Sequence, residues 1–232
     1  MSLQMENYIV SFIDILGASA LIKEDKGDTL FRVHKAYESS LNIFKNGFKR
    51  IKKVPGTRIF SDNILIYCSV TKGNEEADLK KVLLFTGIFQ YQLMKYDILT
   101  RGGIAEGVFF DDELMVWGTA LVDAYALENQ VALFPRVVMS ETLARKYLMN
   151  TSSDLMLYVT SSDDGLRFVD FLSHLFIEDI TEQNYLDFER NLNRRIDALS
   201  EHMDIRILQK YNWLKTYLQS KKELYLGSGY RV

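Results

Sequence analysis

The sequence predicts an α+β fold: a ferredoxin-like core in which a mixed sheet carries helices on one face. Three observations point there. YIVSFID (8–14) is a nearly continuous apolar run, the pattern of a strand buried on both faces. RIFSDNILIY (58–67) sets apolar flanks around Ser61-Asp62-Asn63, as a hairpin with turn formers at its tip does. Val82, Phe85, Phe89, Leu93 and Tyr96 recur three and four apart, which makes 78–97 an amphipathic helix. A strand–helix unit followed by a hairpin is the opening of a ferredoxin-like sheet.

The remaining elements follow in order. Gly17 and helix formers come directly after the first strand, and patchy helical spacing runs through Leu30, Val33, Tyr37, Leu41 and Phe44. A basic stretch, FKRIKKVPGTR, leads into the hairpin. GGIAEGVFF (102–110) and ELMVWG (113–118) predict a second hairpin over an Asp-Asp turn. Ala120, Ala124, Leu127 and Val131 mark a helix, FPRVVMS a strand and ETLARKYLM a short helix. LMLYVTSSDDGLRFVDFL reads as strand, Asp-Gly turn and strand. From 181 the chain is helical, with one stripe through Tyr185, Phe188, Leu192, Ile196 and Leu199 and another through Ile207, Tyr211, Leu214 and Leu218. The expected organisation is a domain over 5–180 and a helical extension over 181–232, packed on that domain or across a dimer, with Trp213 as an anchor.

Composition narrows the function classes. At 232 residues and 47% hydrophobic content the chain can bury a large core. A net charge of −3 argues against a general nucleic-acid binder. No apolar run reaches the ~20 residues of a membrane span, and no secretory signal is visible. Cys68 is the single cysteine, so no internal disulfide can form. These features predict a cytoplasmic protein. Met1–Gln4 reads as an expression-vector remnant ahead of a native start at Met5. His34, His174 and His202 show no metal-ligand spacing.

Two aspartates hold the chemical interest. If strand 8–14 lies beside the 58–67 hairpin, Asp14 and Asp62 come together, and two close carboxylates call for a proton or a cation between them. Mg²⁺ suits such a pair, because it takes one or two carboxylates and fills its shell with water and phosphate. ILGAS, after Asp14, places Gly17 and backbone N–H groups at a helix start, where phosphate binds. Either aspartate taken alone also fits a purely structural role at a strand end or a turn.

FIDILG followed by RIFSDNILIY resembles the two metal-binding segments of class III nucleotide cyclases, with TRGGIAEGVFF and VWGTALVDAYALEN in the places of two further segments of that family. RGGIAEG, ALVDAYALENQ, PRVVMS, DDGLRFVDFL and KYNWLKTYL resemble more narrowly the pyrimidine cyclases of bacterial Pycsar anti-phage systems, extending the likeness to residue 217. The resemblance implies a nucleotide cyclase core with Asp14 and Asp62 as metal ligands and the Ile15 carbonyl as a third, holding two Mg²⁺ or Mn²⁺ ions. It implies a triphosphate held at Leu16 and Gly17, and attack of the ribose 3′-hydroxyl on its own α-phosphate. It also implies a homodimer with composite sites, and a cyclic UMP or cyclic CMP product read by a separate effector in antiviral defence.

The sequence departs from the purine-using enzymes at the positions of their ribose-orienting Asn and phosphate-stabilising Arg, here Val122 and Ala126. The two base-selecting positions fall on Arg58 and Met115. These departures disfavour a purine nucleotide, and the resemblance to the pyrimidine cyclases, which also carry Tyr and Ala in AYALE, implies a pyrimidine substrate, UTP or CTP. Arg101, Arg58 and the run Lys49–Lys53 are the candidate replacements for the lost charge, with Arg101 the choice as a catalytic residue. Glu106 and Glu128 are candidate partners for arginines. A nucleotide-binding dimer without turnover, and a pure dimerisation scaffold, are the competing readings.

Overall fold

A computed structural model describes residues 5–24, 27–47, 53–149, 154–173, 182–202 and 204–226, with main chain alone for 182–184, 199–202 and 224–226. The chain forms two compact units, Met1–His174 and Leu175–Val232. The boundary expected at 180–181 lies outside the described residues.

The sheet of the first unit is centred on β1 (Glu6–Ile15), and its strand order is β2-β3-β1-β4-β6-β8-β7. β1 pairs antiparallel with β3 (Asn63–Ser69) on one side and β4 (Thr100–Asp111) on the other, and β2 (Gly56–Phe60) completes the hairpin with β3. β6 (Val137–Met139) runs parallel to β4, followed by β8 (Arg167–Val169) and β7 (Val159–Ser161). β5 (Val116–Trp117) folds back on β4. The first four strands, with crossover helices between β1 and β2 and between β3 and β4, have the ferredoxin-like connectivity of a mixed α+β sheet.

The crossover helices are α2 (Asp28–Gly47), preceded by the short α1 (Ala18–Glu24), and α3 (Glu75–Lys95). α2 and α3 pack edge-to-face through Tyr37 and Phe44 on Phe85. Beneath them, Ile9, Ile13, Ile64 and Ile66 are fully buried, each contributing about 2 kcal/mol. This is the expected layer of helices on one face. A second layer, α4 (Thr119–Gln130), covers the other, where Ala120 and Ala124 pack on Val10, Phe12, Leu65, Tyr67 and Ala105. β1 is therefore buried on both faces, as its apolar run requires. α4 lies close because Gly103 has no side chain: a Cβ there would stand 2.4 Å from the Ala124 carbonyl oxygen and 2.4 Å from the Leu127 Cβ.

α5 (Glu141–Leu148) follows β6 and is capped by Ser140, whose Oγ accepts from the Leu143 N–H at 3.2 Å. The strand expected from Leu155 starts later. Residues Asp154–Leu157 form a 3₁₀ turn that buries Leu155, and β7 begins at Val159.

In the second unit α6 (Glu182–His202) and α7 (Ile205–Leu226) pair, with Lys222 Nζ 2.9 Å from a Glu189 carboxylate oxygen. Asp204 caps α7 through the Ile207 N–H, and Trp213 stacks on Tyr217. Among the described residues no helix is long and apolar enough to cross a membrane.

Candidate functional site

Asp14 is the penultimate residue of β1, between Asn63 of β3 and Arg101 of β4 in the ladder. Alternation along β1 puts it in phase with Val10 and Phe12, on the face that α4 covers. Asp62 sits in the two-residue turn between β2 and β3. The Ile15 N–H donates to the Asp62 carbonyl oxygen at 3.0 Å, so main chain ties the hairpin tip to the end of β1. The Asn63 side-chain amide donates to Asp62 Oδ1 at 3.1 Å. Ser61, at the same tip, has φ 56°, a conformation uncommon outside glycine. Such backbone recurs where geometry is held for function.

The Leu16 N–H donates to the Leu99 carbonyl oxygen at 2.9 Å. Leu99 is positioned by the end of α3, where Ile98 N–H reaches back to Leu93 O at 3.1 Å and Asp97 takes φ 58°, a Schellman-type stop. Ile15 and Leu16 thus have their N–H groups bonded, and the donors for an anion begin at Gly17. Gly17, at φ 76°, makes the turn into α1, and its carbonyl accepts from Ala20 and Leu21.

Arg101 lies across from Asp14 and is shared. Its terminal nitrogen stands 2.7 Å from Glu128 Oε1, and its Nε is 3.5 Å from Asp14 Oδ2. Glu128 comes from α4 and is buried. Burial pushes its carboxyl above the ordinary value, and the negative charges of Asp14 and Asp62 push the same way while Arg101 opposes them. Two carboxylates therefore share one guanidinium at this strand end, with the Asp62 charge acting on Glu128 as well.

Among the described residues no group of three or more His, Cys, Asp or Glu side chains is arranged to hold a metal ion. The residues at this strand end that could hold a cation are Asp14, Asp62 and the Ile15 carbonyl. That donor set fits a hard divalent cation that completes its shell with phosphate and water.

Arg58 is not brought to Asp14. It lies opposite Leu65 in β2, and its Nε and a terminal nitrogen donate to Asp111 Oδ1 at 3.0 and 2.9 Å. The Tyr67 hydroxyl donates to Asp111 Oδ2 at 2.7 Å. Burial, then the Asp111 carboxylate, pushes the Tyr67 hydroxyl up to about 12. The cluster joins β2, β3 and the end of β4: Arg58 is level with Phe12 of β1 through Leu65, and Tyr67 is level with Val10. Short-range sequence signals do not reveal the Asp111–Tyr67 support, because it spans three strands.

Met115, Val122 and Tyr125 are exposed, and Tyr125 rests edge-on against Phe12 at 5.4 Å. Cys68 is half-buried, its thiol pushed up to about 11 by burial. Glu106 pairs with Lys146 away from Asp14. Of the basic run, residues 49–52 lie outside the described residues, as do His174 and the side chain of His202.

No family model and no curated protein matches the sequence. Among solved structures, the crystal structure of the guanylyl cyclase Cya2 is 9% identical over 73% of this chain and 93% of that chain, with a TM-score of 0.46. A bacterial light-regulated adenylyl cyclase is 12% identical over 76% of this chain and 58% of its own, TM-score 0.45. A class III adenylyl cyclase-like ATP-binding protein from Pseudomonas aeruginosa is 9% identical over 75% of this chain and 40% of its own, TM-score 0.45. At these identities and scores the likeness assigns neither an activity nor a substrate.

Proposed function

We propose that this chain is a divalent-metal-dependent nucleotidyl cyclase that converts a pyrimidine ribonucleoside triphosphate, UTP or CTP, to its 3′,5′-cyclic monophosphate and pyrophosphate. The observation that carries this is the main-chain bond from Ile15 to Asp62, which joins the two acid-bearing segments beside Arg101. Asp14, Asp62 and the Ile15 carbonyl are the groups that hold Mg²⁺ or Mn²⁺, in two ions per site. When bound, the metal neutralises phosphate charge and lowers the pKa of the attacking hydroxyl. The turn at Gly17 and the N–H groups at the start of α1 receive the triphosphate. The ribose 3′-oxygen bonds to the α-phosphorus, the bond to the β-phosphate oxygen breaks, and the hydroxyl proton leaves to solvent. Arg101 stabilises the charge that builds on the transferring phosphate.

One protomer carries half of this site. Arg58, the candidate base-binding residue, is engaged with Asp111 and not with Asp14; that a second copy packed head-to-tail brings it to the site rests on the sequence resemblance. Exposed Met115, Trp117, Val122 and Tyr125 suit such an interface. The product serves as a second messenger in phage defence, sensed by a separate effector; that part rests on the sequence resemblance alone.

The test is incubation of the folded dimer with Mn²⁺ and each of the four ribonucleoside triphosphates. Cyclic UMP or cyclic CMP is the expected product, and Asp62→Ala is expected to lower turnover on the order of 10³-fold or more with the fold retained. No cyclic product from any triphosphate refutes the assignment. The second reading, a nucleotide-binding dimer without turnover, is favoured by Val122 and Ala126, neither of which can replace Asn or Arg; calorimetric triphosphate binding without product supports it.

A further inference from the structure

We infer that Glu128 is a positioning residue for the divalent cation: it draws Arg101 towards α4 and so keeps the guanidinium from closing on Asp14. This rests on the metal role proposed above for Asp14. Arg101 stands between two carboxylates as an uneven ion pair, its nearest nitrogen 2.7 Å from Glu128 against 3.5 Å from Asp14. A guanidinium seated fully on Asp14 would occupy the oxygens a cation needs, because Arg and a divalent ion compete for the same lone pairs. Glu128 is 5% exposed at its side chain, so it has little solvent with which to share its charge. Burying a carboxylate is costly unless a partner is held there, and Arg101 is that partner. Glu128 reaches the strand end only because α4 lies against Gly103, two residues beyond Arg101. The consequence is that α4, which supplies no proposed metal ligand, sets where the Arg101 guanidinium stands relative to Asp14.

The test is a double-mutant cycle on the full chain, read as Mn²⁺ affinity by the electron paramagnetic resonance signal of free Mn²⁺, with no nucleotide present. E128Q is expected to weaken binding about ten-fold, the size that one rearranged charge pair near a surface supports. In the R101Q background the same substitution is expected to change affinity less than about two-fold, because the competing guanidinium is gone. Equal weakening in both backgrounds would mean that Glu128 acts through its charge alone, and it overturns the inference, as does no weakening in either. Circular dichroism verifies folding; should E128Q fail to fold, E128D, shorter by one methylene, is read by the same criteria. A wild-type protein that binds no Mn²⁺ overturns the proposed metal site itself, whereas unchanged binding in E128Q overturns only the role of Glu128.

Discussion

Arg101, in β4, and Arg136, just before the neighbouring β6, both meet carboxylates, and they meet them differently. Arg136 precedes β6, and its carbonyl accepts from the Gly102 N–H of β4 at 3.1 Å. Its side chain is 1% exposed, with the rings of Phe134 and Phe168 each 5.5 Å from the guanidinium carbon. Both terminal nitrogens engage Asp164, and one also donates to Ser162. That is a closed pair: two parallel bonds to one acid inside an aromatic sleeve. Arg101 is divided between Asp14 and Glu128, with Asp62 close enough to raise Glu128 further. A closed pair holds the β7–β8 hairpin to the sheet. An unevenly divided one, with more acids than base, is an arrangement that a ligand can complete.

The contrast is sharpest in stability. Asp164→Ala leaves a buried guanidinium without its acid and is expected to cost about 3 kcal/mol, measured by urea unfolding, with the proposed cyclase activity, per folded molecule, unchanged. Arg136 holds the Asp164 carboxyl down to about 2. Its folded value is thus below the unfolded value near ~3.9, so this stabilisation is present above about pH 4 and is lost as pH falls towards 2. The Ala variant is expected to lose that acid dependence, and an unchanged unfolding profile between those pH values would break the comparison.

Gly103→Ala is expected to be next in size, about 2 kcal/mol, because the added methyl meets the Ala124 carbonyl and the Leu127 Cβ. Moving α4 also moves Glu128, so this variant should lose Mn²⁺ affinity, which Asp164→Ala should not. Smallest is the effect of Glu128→Gln on the metal-free protein. Glu128 is raised in the fold, so its ionisation at neutral pH opposes folding. The favourable contribution of its neutral form is present below the unfolded value and is lost as pH rises through the folded one. Gln removes that penalty, and the melting temperature at pH 7 is expected to stay level or rise, the opposite sign to Asp164→Ala. A marked fall would class Glu128 with Asp164 as a structural acid.

What could be read beforehand divides along the same line. The β1 run and the Ser61-Asp62-Asn63 hairpin are local patterns, and the structure places them as expected; the helix expected over 78–97 forms as α3, Glu75–Lys95, but Val82 to Met94 are all buried, so it is not the one-sided amphipathic helix its stripe suggests. The double-sided burial of β1 was legible too, and it already required cover on a second face. α4 supplies that cover through Ala120 and Ala124 against Gly103, a small-residue contact with a weak helical stripe, so its side of the sheet was not legible. Arg101 could be named by its residue type, and Glu128 as a partner for an arginine, but not their meeting beside Asp14. The burial of Glu128 against Arg101 could not be read, nor could Asp111 on Arg58, nor Asp164 on Arg136 across 28 residues. Each depends on where distant segments dock. The spent N–H of Leu16 depends on the Asp97 turn at the end of α3, more than eighty residues later in the chain.

The bond from Ile15 to Asp62 has a wider consequence. It fixes the separation of the two acid-bearing segments by main chain, independently of either side chain, so exchanging the acids leaves the frame intact. It also makes the two-residue link between β2 and β3 a measured length. One added residue there would slide β3 against β1, turn Ile64 and Leu65 to the wrong layers, and carry the tip away from the strand end it is stitched to.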